Sequence, residues 1–95
     1  MFPLVFYIAL SSFCQFQSKV AYMSQRNLNN SIPLAVTLQI IDSYMTQADF
    51  PLNYVLIVNS DIIVPIYKRN LIRDPSFVSM KYYNKCVTDT LNKKD

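Results

Sequence analysis

The chain contains no Gly, no His, no Trp and no Glu in its 95 residues. Each absence removes a class of chemistry. Without His there is no imidazole base, no Ser-His-Asp or Cys-His nucleophile and no histidine metal ligand. Without Gly there is no P-loop and no dinucleotide fingerprint, since both bring bare backbone close to a phosphate. Two cysteines, 72 positions apart, cannot build a structural zinc site without His. All six acidic residues are Asp, at 42, 49, 61, 74, 89 and 95, and most are well separated in sequence. These absences argue against an enzyme and against a resident cofactor or metal, so we expect neither a catalytic site nor a cofactor.

What is present is equally uneven. Phe, Tyr, Met, Ile, Asn and Lys make up 40 residues, against 12 for Gly, Ala, Arg and Pro. That skew follows AT-rich codons, and it fits a young reading frame, including one without a selected function. Disorder does not follow, because 52% of the residues are apolar and 16% charged. The length suits a single small domain with a modest core.

Residues 1–18 carry no charged side chain. An apolar run from Phe2 to Leu10 leads to the small residues Ser11, Ser12 and Cys14. This is the pattern of a secretory signal peptide. Cleavage after Cys14, with Ser12 two positions before it, is the first choice; cleavage after Ser11, with Ala9 two before, is the second. The nearest basic residues, Lys19 and Arg26, follow the apolar run, an arrangement that favours a retained anchor. Eighteen uncharged residues that include Gln15 and Gln17 are short for a span, which takes about 20. A third reading is a buried helix or strand in a cytoplasmic protein. The expected organisation is a signal peptide or anchor over 1–14, a linker over 15–30, of which 19–30 also reads as a frayed helix, and one domain over 31–95. A secreted or membrane-associated protein follows from it.

Cleavage after Cys14 leaves Cys86 as a candidate free thiol; without it, the two cysteines can form one disulfide. Asn29-Asn30-Ser31 is a glycosylation sequon.

The domain reads as α+β, in the order helix, β-hairpin, helix. Ser31 and Pro33 open a helix over about 33–47, with Leu34, Leu38, Ile41 and Met45 in register and the polar Thr37 just outside it. Asp49-Phe50-Pro51 ends it. Two β-branched runs, 54–58 and 62–67, flank Asn59-Ser60-Asp61 and suggest a hairpin whose second strand, holding Pro65, lies at an edge. Asp74-Pro75 starts a last helix, with Met80, Tyr83, Val87 and Leu91 on one stripe and Lys93 and Lys94 at its end. Lacking Gly, the chain must use Asn or Asp where a left-handed residue is needed, and Asn70, Asn84 and Asn92 are candidates.

Charge collects at the carboxyl end. Residues 66–95 hold seven basic and three acidic groups, a balance of 7 − 3 = +4. Rings interleave with the cations at Tyr67-Lys68-Arg69 and Lys81-Tyr82-Tyr83-Asn84-Lys85. Lys68, Arg69, Lys81, Tyr82 and Lys85 are therefore the candidate partner-binding residues. An ordinary solvated helix face whose aromatics enter the core is the simpler explanation, since a balance of +4 is well short of a strong basic footprint. We expect a small non-enzymatic protein that binds a protein partner through its edge strand or its basic last helix. The alternative is an accessory protein on nucleic acid or anionic membrane.

One local pattern, Tyr54-Val55-Leu56 with Asn59, Asp61, Val64 and Pro65, resembles the strand of family 2 glycosyltransferases that ends in Asn-x-Asp. The resemblance implies a metal-facing Asp61. It covers about a dozen residues and lacks the Gly-containing stretch before the strand, so the hairpin turn is the preferred reading.

Overall fold

Ser31, Asp49 and Asn70 have left-handed backbones, with φ of 62°, 63° and 53°. One of them sits in each connection between helical rods. They do the work glycine usually does, and Asn70 fills the role expected of it. Asn84 and Asn92 instead lie inside a helix. The computed structural model describes residues 4–92, with side chains from 12 to 91. Most of the expected signal or anchor segment, and Lys93 and Lys94, therefore fall outside the described side chains.

The described chain is all helical, and among the described residues there is no strand. Helix α1 spans Leu4–Asn29 and α2 spans Leu34–Gln47. A third rod comprises α3 (Leu52–Val58), a π-helical turn (Asn59–Ile63) and α4 (Val64–Arg69). Helix α5, Pro75–Asn92, packs along α1. The α+β expectation is thus corrected to an α-helical fold, and residues 15–29, read as a linker, are part of α1.

The hairpin expectation fails because burial along 53–68 has a helical period. Val55, Val58, Ile62, Ile63 and Ile66 are buried. Their spacings of three, four, one and three residues form one helix face. Tertiary packing of that face overrides the β-propensity of its residues. Asn59, Ser60 and Asp61 lie on the helix rather than at a strand turn. Ser60 Oγ donates to the Ile57 carbonyl at 3.3 Å, and Asn59 Nδ2 donates to Asp42 Oδ2 at 3.4 Å. Pro65 accounts for the π turn. Inside a regular helix its ring would clash with the carbonyl of residue 61. Here the Val64 N–H reaches back five residues to the Asn59 carbonyl, widening the helix just before the proline.

Two expected boundaries hold closely. Helix α2 runs 34–47, after Pro33. Asp74 caps α5, its Oδ1 accepting the Ser76 N–H at 2.9 Å. Ser31, expected as the cap of α2, is the left-handed turn residue instead. The inward stripe of α5 also differs from the one expected. Val78 and Cys86 are buried and Tyr82 is half-buried between them, while Met80 and Leu91 face outward.

The core joins Val20 and Ala21 of α1, Ile41 and Met45 of α2, the inner face of the third rod and Val78 of α5. Phe16 stacks on Phe50 with ring centroids 4.8 Å apart, and Phe13 packs on Tyr54 at 5.0 Å. A polar relay crosses this interior. Asn27 Nδ2 donates to Thr37 Oγ1 at 3.1 Å, Thr37 lies 2.7 Å from the Tyr67 hydroxyl, and Tyr67 donates to the Ile32 carbonyl at 2.7 Å. Since Tyr67 has one proton and gives it to Ile32, Thr37 is the donor to Tyr67. The relay locks α1, the α1–α2 turn, α2 and α4 together. Tyr67→Phe removes the donor to the Ile32 carbonyl and the acceptor of the Thr37 O–H, and should lower stability by about 1–3 kcal/mol in urea unfolding. A change below a few tenths would show that water replaces the hydroxyl.

Candidate basic cleft

The third rod and α5 lie side by side and leave a cleft between them. Its outer part, of about 540 Å³, is lined by Ser60, Asp61, Pro65, Arg69, Lys81, Tyr82 and Lys85. The π turn presents Asp61, α4 presents Arg69, and α5 presents Lys81, Tyr82 and Lys85. An inner part of about 430 Å³ shares Asp61, Tyr82 and Lys85 and reaches Gln17, Cys86 and Asp89.

Four of the five candidate binding residues thus come together, although Arg69 and Lys81 are twelve positions apart in sequence. Lys68 does not join them; it is exposed and lies outside the cleft lining. The outer cleft holds three cations and one carboxylate, a balance of 3 − 1 = +2. Lys81 sits over the Phe77 ring, 5.5 Å from its centroid, which fixes the ammonium at the cleft edge. No ion pair ties Arg69, Lys81 or Lys85 to a carboxylate among the described residues. Burial raises the Tyr82 hydroxyl above the ordinary tyrosine value, against the pull of the Arg69 charge, and Asp61 adds to the rise. The ring therefore stays neutral at physiological pH, a hydrogen-bonding phenol amid cations.

Asp61, the residue matched to a metal-facing Asp, is exposed on the π turn, its Oδ1 3.2 Å from Ser60 Oγ, which shares its one proton between this carboxylate and the Ile57 carbonyl. The strand that the glycosyltransferase resemblance requires is a helix. Among the described residues no group of three or more His, Cys, Asp or Glu could hold a metal ion.

Cys86, expected as a free thiol if the leader is cut after Cys14, is bonded to Cys14, with the two Cα atoms 5.5 Å apart. The bond joins α1 to α5 beneath the inner cleft. The sequon residue Asn29 is also engaged. Its Nδ2 donates to the Arg73 carbonyl at 2.7 Å and its Oδ1 accepts from Gln25 at 2.8 Å. The nitrogen a glycan would occupy is thus committed to the fold, which opposes modification of the folded chain. Gln25 and Thr37, both buried, carry fold-determining hydrogen bonds that hydropathy patterning had no means to single out. No helix among the described residues is long and apolar enough to cross a membrane. No family model matches the chain, and neither a curated protein nor a solved structure matches it.

Proposed function

We propose that this is an exported, disulfide-stapled, non-enzymatic binding protein whose basic cleft takes an acidic segment of a protein partner. The observation that carries the reading is the convergence of Arg69, Lys81 and Lys85 around Tyr82 in one cleft. A cleft offers an extended peptide both charge and a ring to pack on, which a flat solvated face does not. Export is supported by the amino-terminal pattern and by the disulfide, since such bonds persist in oxidising compartments.

The disulfide supports the second of the two processing sites over the first. Cleavage after Cys14 would discard half of the bond, whereas cleavage after Ser11 retains it. The secreted protein is therefore expected to begin at Ser12, with both cysteines oxidised. Intact-mass measurement of carboxyl-tagged protein from the medium tests this. A chain beginning at Gln15, or a full-length chain held in the membrane, would overturn it.

The cleft is tested with a fluorescein-labelled ten-residue oligoglutamate peptide. The triple variant Arg69→Ala, Lys81→Ala, Lys85→Ala should bind at least tenfold more weakly, with a shallower salt dependence. Lys68→Ala should bind like the parent. An unaffected triple variant would remove the cleft as the site. Tighter binding of a single-stranded oligonucleotide than of the peptide would replace the protein partner by nucleic acid.

A further inference from the structure

A second cleft opens between α1 and α2 and shares no residue with the basic one. Its volume is about 250 Å³. Phe16, Val20 and Met23 line it from α1, and Ile40 and Tyr44 from α2. Within each helix these residues are three or four apart, so two apolar rows face each other. Ile40 and Tyr44 are 47% and 59% exposed, although each is large and apolar in body. The one charged lining residue is Lys19. An adjoining recess, which shares Lys19 and Met23, adds Arg26 two turns further along α1. Neither recess is lined by a carboxylate.

This combination selects a ligand by both ends. The apolar walls accept a hydrocarbon, and the mouth carries charge of one sign. A cationic amphiphile is repelled there, and a neutral one gains nothing from Lys19, which is exposed at the rim. The cleft is half open, so its volume of about 250 Å³ bounds the ligand only loosely, at the order of a medium-length alkyl chain. We propose that the α1–α2 cleft binds a medium-chain fatty acid, with its acyl chain between Phe16, Met23 and Ile40 and its carboxylate on Lys19. Arg26 supplies the second cation of the mouth. The site is independent of the basic cleft and of export.

The full chain, with its Met and Ile methyl groups labelled with carbon-13, is titrated with decanoate and followed by NMR. The Met23 and Ile40 methyls should shift saturably at one equivalent. Decyltrimethylammonium should bind at least tenfold more weakly. Lys19→Gln should weaken decanoate about three- to fivefold, the scale of an exposed ion pair, and leave decanol unchanged, a split that a purely structural role for Lys19 would not produce. Ile40→Asn alters an exposed wall residue, so the fold survives, and it should weaken decanoate and decanol alike. The proposal is overturned if decanoate moves no methyl of the cleft, or if Lys19→Gln binds it like the parent. Concentration-dependent broadening of the Ile40 methyl without ligand would assign the cleft to a second copy of the chain. Binding to anionic vesicles but not to free decanoate would assign it to a membrane surface. Either result rejects the fatty-acid site.

Discussion

Replacing Cys14 and Cys86 together with Ala should lower stability by about 4 kcal/mol and the melting temperature by about 20 °C. The size follows from chain entropy, because the bond closes a loop with a sequence separation of 72 residues. Ala is preferred to Ser because both sulfurs lie in the interior, where a hydroxyl would need a partner. The damage should also be local in a defined way. The connection leading into α5 is held to α1 independently, by Gln25 Nε2 on the Leu71 carbonyl at 2.8 Å and by Asn29 on Arg73. Amide exchange should therefore rise first around residues 84–92 and 12–16, and last around 71–78. Native protein should weigh two hydrogens less than the reduced chain. Equal masses would show that the disulfide does not form, and a melting temperature that moves by only a few degrees would show that the remaining contacts between α1 and α5 suffice without it.

The disulfide illustrates what could and could not be read beforehand. The pairing was one of two readings of the cysteines, and their distance is a property of the fold. Local signals transferred well. Asp74-Pro75 marks a helix start through a cap and a missing donor, both properties of adjacent residues. The limits of α2 were legible because Pro33 and Pro51 restrict the backbone next to them. The basic cluster was legible as composition, but its division was not. Arg69 turns toward α5 and Lys68 does not, which depends on the rotation of α4 about its axis. Hydropathy sets Thr37 outside the apolar row because a hydroxyl counts as polar. In the fold it is fully buried, its hydroxyl satisfied by Asn27 and Tyr67. The α5 stripe was misplaced because the apolar residues of 75–92 nearly surround the helix, so periodicity alone does not select a face.

Residues 54–66, whose β-propensity conflicts with their helical burial period, yield the sharpest test of the fold. Ile63→Ala should cost about 2–4 kcal/mol, since Ile63 is fully buried and its truncation leaves a cavity in a close-packed interior. Leu56→Ala and Ile57→Ala, made together, should cost less than about 1 kcal/mol, because these side chains are 56% and 47% exposed. A strand cannot give that pair of results. Its side chains alternate, so one of two consecutive residues must face the core. A helix exposes both when the buried face is set by Val55, Val58, Ile62 and Ile66. Urea unfolding of the two variants therefore separates the architectures without any spectroscopic assignment of secondary structure. Comparable losses in both would restore the hairpin. They would also dissolve the basic cleft, because Asp61 and Arg69 are brought beside α5 only when residues 52–69 form a continuous rod.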